Sequence, residues 1–326
     1  MNKIQLSSHR NTVLKKRILN SAVYILMAIV IVTYASLTPL FLSASNLKSL
    51  FVNSSSLLVA ATGITFILLV AEIDLSIGSI AAISGALWVV AISRWEINPV
   101  LATLLALLAG LLLGGFNAFL VVVLKINSFL ATLGMQIFLR GFVYILTGGA
   151  QILVPSPVKS VLTAPKFFGL PLLIILSIFL LLAMAAVYRW TSFGRKLQAV
   201  GCNRQAAGKI GIHVDGIRAA AFIICGLLAA IAGICQAANV GIIRPDNLGN
   251  GLEFLAITAA VLGGTSLLGG SGSFVPGTLV GVLFLMCIEN GLGLLGANPY
   301  AYPIVRGAVI FLAMFSDSLK HSLSEV

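Results

Sequence analysis

Charge is scarce in this sequence. Of its 326 residues, 9% are Asp, Glu, Lys or Arg and 59% are hydrophobic, where an ordinary soluble domain carries about 25% charge. Such a chain cannot clothe a water-facing globule of its own size. Histidine is limited to His9, His213 and His321, which never share a helix face, so neither a metal site nor a catalytic base is indicated. Cys202, Cys225, Cys235 and Cys287 show no pairing or metal spacing, and three of them sit in apolar runs as small hydrophobes. No phosphate loop occurs: Gly208-Lys209 is followed by Ile210 and has Asn203 where the first glycine belongs. No Ser/His/Asp set falls at one membrane depth, which leaves an enzyme reading unsupported and no cofactor expected on this chain. Most of the nine acids lie at the ends of apolar runs or between them. That argues against an ion-coupled secondary transporter, which carries carboxylates or broken helices near the bilayer midplane.

Long apolar runs are abundant. A bilayer core of roughly 30 Å needs about 20 apolar residues per helix. The runs predict spans over 18–42, 52–71, 76–93, 98–123, 128–147, 167–189, 217–238, 254–270, 274–296 and 301–317. The expected fold is therefore all-α, a polytopic inner-membrane protein of about ten transmembrane helices. Residues 1–17 form a short N-terminal segment, 18–317 the membrane domain and 318–326 a tail. Arg10, Lys15, Lys16 and Arg17 precede the first run, which lacks a small-residue cleavage pattern and reads as an uncleaved span.

The net charge of +11 does not point to nucleic acid, because the cations sit between apolar runs as orientation signals do. With both termini cytoplasmic, 13 of the 20 Lys and Arg fall inside and 5 outside. Lipid is the expected surroundings. Two connections exceed a turn. Gly148 to Lys166 holds Pro155, Pro157 and Pro165 and is expected to be external with little regular helix. Thr191 to Gly216 is internal and densely basic, the place for a cytoplasmic partner. Gly110-x-x-x-Gly114 and Gly277-x-x-x-Gly281 let helix backbones approach, for static packing or for a moving interface.

Three charges fall within spans. At 1.5 Å per residue, Arg140, Glu289 and Arg306 lie about 18–22 Å above the inner ends of their helices. An unpaired charge there is costly, so Glu289 is expected to pair with Arg306 or Arg140, as a structural tie or as a polar element of a transport path.

Four stretches, in order, resemble the ribose-type ABC importer permeases. Ala71-Glu72-Ile73-Asp74-Leu75-Ser76-Ile77-Gly78-Ser79 looks like that family's Gly-Ile-Asp-Leu-Ser-Val-Gly-Ser signature. Asn127-Ser128-Phe129-Leu130-Ala131-Thr132-Leu133-Gly134 with Leu139-Arg140-Gly141 is similar to its next block. Thr191-Ser192-Phe193-Gly194-Arg195, Ala199-Val200-Gly201-Cys202-Asn203 and Ala206-Ala207…Gly211-Ile212 resemble its cytoplasmic loop. Ala259-Ala260-Val261-Leu262-Gly263-Gly264-Thr265-Ser266-Leu267 and Gly269-Gly270-Ser271-Gly272 match the fourth. Three positions depart from the pattern: Glu72 for a small residue, Leu255 for a common Asp, and Pro276.

The resemblance implies the permease subunit of an importer for a monosaccharide. Its implied partners are a separate ATP-binding subunit carrying ATP and Mg, a periplasmic sugar-binding protein, and a second permease copy or paralogue. It implies that Asn203, Ala206, Ala207, Gly211 and Ile212 form the element gripped by the ATPase. On the residues alone, Asn203 is a plausible N-cap for a short helix ending at Gly211, and an ordinary basic loop is the plain alternative. Asp74 and Ser76 can cap a helix opening after a turn, a structural role preferred to sugar contact because the turn falls on the cytoplasmic side. Phe129, Thr132 and Gln136 share one helix face, as sugar contacts or as packing.

Overall fold

In a computed structural model the chain is described over residues 23–167, 169–298 and 300–322. Segment 1–17, the start of the first expected span and the end of the tail lie outside the described residues. The architecture is almost entirely helical. Among the described residues, six helices are long and apolar enough to cross a membrane: α2 (Ala44–Leu69), α4 (Pro99–Val123), α5 (Ser128–Thr147), α7 (Leu172–Trp190), α10 (Val214–Val240) and the π-turn-initiated run Phe274–Leu294, whose α-helical part is α12 (Leu279–Leu294). Four shorter apolar helices accompany them: α1 (Val23–Leu37), α3 (Ile77–Ser93), α11 (Leu252–Leu262) and the apolar part Ala301–Phe315 of α13 (Ala301–Ser322). Three polar helices lie in the connections: α6 (Ser156–Thr163), α8 (Ser192–Cys202) and α9 (Arg204–Lys209).

Helix α2 is apolar on every side, and from Ser54 to Leu69 all of it is buried, as expected of a helix surrounded by others. It is the axis of the molecule; α10, α7, α11 and α12 pack around it. The outward sides of α4, α5 and α7 keep large apolar residues exposed, among them Leu104, Leu112, Ile137, Phe138 and Phe179. Stripes of this kind on spanning helices face lipid.

The paired glycines hold α4 against α10. A Cβ on Gly110 would lie 2.5 Å from the Gly226 carbonyl, and one on Gly226 would lie 2.4 Å from the Gly110 carbonyl. Only glycine allows that approach. Gly281 likewise abuts the Ala259 carbonyl, bringing α12 against α11.

Three expectations are corrected. The Gly148–Lys166 connection contains α6, with Pro155 before it and Pro157 in its first turn. Prolines that suggest a helix breaker sit where no backbone N–H is needed. The expected span 254–270 is helical only to Leu262; Gly263 is pressed against Gly277, and Gly264, Gly269 and Gly270 adopt positive φ. The basic loop holds, besides the short helix expected after Asn203, a second one, α8, capped by Thr191, whose hydroxyl accepts from Gly194 N at 3.4 Å. A two-residue antiparallel pair, β1 (Ile152–Leu153) with β4 (Ile242–Ile243), ties the α5–α6 connection to the exit of α10; β2 (Pro165–Phe167) and β3 (Leu170–Pro171) form a hairpin before α7.

Candidate functional site

Helices α2 and α3 are joined by a short turn, and all four sequence blocks meet there. Its backbone leaves helical geometry at Ala71, which has φ 55. Asp74 and Ser76 are fully buried. One Asp74 carboxylate oxygen accepts from Ser76 N at 2.8 Å and from the Ser76 hydroxyl at 2.7 Å. Asp74 thus takes a free backbone N–H as anticipated. Ser76 caps nothing: its hydroxyl donates to Asp74 and accepts from Asn117 Nδ2 at 2.7 Å.

The second block supplies the other side of the turn. Thr132 is buried; its hydroxyl accepts from Leu75 N at 3.0 Å and donates to Ser128 O at 2.7 Å. Ser128 Oγ accepts from Ile73 N at 3.3 Å. Gln136 accepts from Ser79 Oγ through its carbonyl at 2.9 Å, and its amide donates to Glu253 at 2.7 Å. Phe129 is 44% exposed on the outer side of α5. The three residues that share a helix face therefore reach three different surroundings, and none of them lines the cavity described below.

The third and fourth blocks close on the same turn. A Cβ on Gly201 would lie 1.9 Å from Leu69 O and 2.4 Å from Gly270 N, and Gly270 N itself donates to Leu69 O at 3.0 Å. Asn203 accepts from Ala206 N at 2.9 Å and so caps α9; Ala207 is buried, Ala206 is exposed, and Gly211 ends the element at φ 84. Ile212 N returns to Ala207 O at 3.1 Å. Ile210, next to these small residues, is 75% exposed. A small capped helix with an apolar tip stands out from this face of the molecule.

Glu72, a departure from the family pattern, is the charged centre of this face. It is 5% exposed and accepts from Arg204 at 2.7 Å and from Arg218 at 2.6 and 2.8 Å. Asp215 extends the cluster to Lys125 at 2.8 Å and Arg218 at 3.3 Å. Nothing in the sequence pattern pairs these residues; the signal was only that an acid stood where a small residue is usual.

The opposite half of the molecule holds a cavity of about 390 Å³ between α2, α10, α11, α12 and α13. Its wall carries the carboxamides of Asn53, Gln236, Asn239, Asn247, Asn250 and Asn290, with Tyr302 and the pair Glu289–Arg306. Of the two partners expected for Glu289, the structure gives Arg306. Arg140 instead donates to the Leu248 carbonyl at 2.7 Å. Leu252 and Leu255 form the apolar part of the wall. These amides are scattered over three helices and a loop in the sequence, so only the fold collects them.

The chain approaches the cavity without helical structure from Ile243 to Gly251 and then enters α11, eleven residues long. That is about 16 Å, half of a bilayer core. Irregular backbone at such depth is tolerated where protein or a water-filled space satisfies it. Asn247 and Asn250 project from this stretch, and Gly249 N donates to Gln236 at 2.9 Å. Glu253, expected at a span end, is 1% exposed in the first turn of α11, where an acid suits the free N–H groups. Broken-helix geometry and a buried acid are therefore both present, contrary to the expectation from the apolar runs.

A multi-pass bundle with a half-length helix that starts at an amide-lined cavity has the parts of a membrane transport protein. The chain belongs to the permease family described as branched-chain amino acid transport system / permease component, whose model matches residues 46–314. It is 36% identical over 303 residues to the ribose import permease protein RbsC of Escherichia coli (strain K12), covering 92% of each chain. It is 38% identical over 278 residues to the autoinducer 2 import system permease protein LsrC of Escherichia coli O9:H4 (strain HS), covering 85% of this chain and 80% of that protein. No solved structure matches it. This is a permease of the ABC importer type to which the ribose and autoinducer 2 permeases belong.

Proposed function

We propose that the chain translocates a monosaccharide, a pentose or hexose such as ribose or allose, across the bacterial inner membrane from periplasm to cytoplasm. The observation that carries this reading is the cavity wall. Asn53 and Asn239 bond each other, Asn290 is paired with Asn46 and Gln236 accepts from Gly249 N. The carboxamides of Asn247 and Asn250, each a donor and an acceptor, face this prearranged amide wall and match the hydroxyls of a sugar, while the two charges present neutralise each other. A zwitterionic amino acid would call for unpaired charges. A nucleoside, or a furanone of the kind carried by autoinducer systems, shares the need for hydrogen bonds; the similarity to LsrC makes the furanone the second reading.

In this reading the chain crosses the membrane ten times with both termini cytoplasmic, nine times as a helix and once as the irregular stretch 243–251 continued by α11. The face with α8 and α9 then meets a separate ATP-binding subunit that holds ATP and Mg. A periplasmic binding protein delivers the sugar to the opposite half, and a second permease copy or paralogue completes the path. Asn203, Ala206, Ala207, Gly211 and Ile212 form the coupling element, supported by the capped geometry of α9 and the exposed Ile210.

The test is co-purification of the intact chain with its candidate ATP-binding subunit, followed by uptake into proteoliposomes supplied with binding protein. Labelled ribose, allose, a branched-chain amino acid and the furanone are compared. ATP-dependent uptake of a sugar is expected. ATP-dependent uptake of one of the other solutes would replace the cargo. Uptake driven by an ion gradient without a bound ATPase would overturn the importer mechanism for a secondary transporter.

A further inference from the structure

We propose that Glu72 and Arg204 are the positioning pair through which movement of α9 reaches the α2–α3 turn, an inference that rests on the coupling reading of α9. A carboxylate that is 5% exposed is costly to bury unless it is paired. Here it accepts three hydrogen bonds from two guanidinium groups on different elements, Arg204 at the start of α9 and Arg218 on α10. The Arg218 arm fixes the carboxylate to the core. The Arg204 arm is different in kind.

The same Arg204 nitrogen that meets Glu72 also donates to Val70 O at 3.0 Å and Ala71 O at 2.9 Å. These carbonyls end α2, where backbone acceptors lack helical partners and a cation is favoured. One guanidinium thus holds both the backbone and the side chain of the turn. Arg204 is the first residue of α9, directly after the cap residue Asn203, so a displacement of α9 pulls on residues 70–72 through these three bonds.

From that turn the pull has defined recipients. Ile73 and Leu75 are hydrogen-bonded to α5, and Asp74–Ser76–Asn117 joins α3 to α4. Helix α2 continues through the membrane to Asn53, Ser56 and Leu57 in the cavity wall. A buried turn with α9 on one side and the cavity helix on the other is a mechanical link between them. The usual small residue at position 72 could not make it.

The experiment uses the intact chain with its ATP-binding subunit in proteoliposomes. Asn250, in the cavity wall, is replaced by Cys, and the exposed Cys202 by Ser. A membrane-impermeant maleimide reports the labelling rate with and without a non-hydrolysable ATP analogue and Mg²⁺. The analogue is expected to change the rate about tenfold in this background and less than twofold once Arg204→Gln is added, with the ATPase still bound. Arg204 is 40% exposed in its side chain, so this variant leaves the Glu72–Arg218 pair and the fold in place. Glu72→Gln is expected to abolish the response equally, and the double variant to be no worse than either single one. An undiminished response in Arg204→Gln with the ATPase bound overturns the link and leaves the coupling reading standing. Loss of the ATPase from Arg204→Gln also overturns it, making Arg204 a docking contact. Failure of the unaltered chain to bind the ATPase, or to respond to the analogue, overturns the coupling reading and the link together.

Discussion

Substituting Gly226 by Ala should destabilise the membrane bundle by about 2 kcal/mol, and the sign should reverse at Gly134. A Cβ on Gly226 lies 2.4 Å from Gly110 O, 2.7 Å from Gly114 Cα and 2.9 Å from Gly114 N, where ordinary contact begins at 3.4 Å. The shortest approach is therefore about 1 Å too close, and every obstructing atom is backbone of α4, which has no rotamer to turn away. Overpacking a tight core costs about 1–3 kcal/mol, and rigid backbone on three sides places this case near the top. Alanine regains about 1 kcal/mol of helix propensity over glycine, leaving a net loss of about 2 kcal/mol.

Gly134 supplies the internal control. It also lies within a spanning helix, α5, but nothing stands within 4 Å of its virtual Cβ. There the alanine keeps the propensity gain, about 0.5–1 kcal/mol, and loses no packing. Thermal midpoints of both variants, measured in the same detergent and at one scan rate, should move in opposite directions; the fixed scan rate matters because unfolding of such chains is often irreversible. Equal midpoints for Gly226→Ala and the unaltered protein would refute the packing argument, and with it the close α4–α10 contact.

Glu289→Gln should leave Arg306 facing the cavity without its anion, a loss of about 1–2 kcal/mol for a pair that is partly solvated on both sides. Sugar uptake should fall about tenfold; unchanged assembly and uptake would remove both the structural and the transport role of the pair. Asn203→Ala should destabilise α9 by about 1 kcal/mol, read as faster hydrogen exchange at Ala206 N, the amide it caps at 2.9 Å. Ala206→Arg, on the exposed side of the same helix, should insert normally and lose the ATP-binding subunit on co-purification; retention of that subunit would move the docking surface elsewhere.

The membrane-spanning character and the placement of most helices were determined by the sequence alone. Removing apolar side chains from water is additive along the chain, and a run such as Ser128–Thr147 shows itself without reference to its neighbours. Local chemistry was equally legible: the Asn203 cap and the Gly211 terminus depend on atoms three to eight residues apart. Only the tertiary structure decided what lies between helices. The turn at Glu72 draws Arg204 and Arg218 from 132 and 146 residues away, and the cavity gathers amides from α2, α10, α12 and the stretch before α11. Glu253 looked like a span boundary because hydropathy measures composition along the chain, not depth in a bilayer. Depth was set by the irregular stretch 243–251, which carries the chain into the bundle before α11 begins and leaves the first turn of α11 buried.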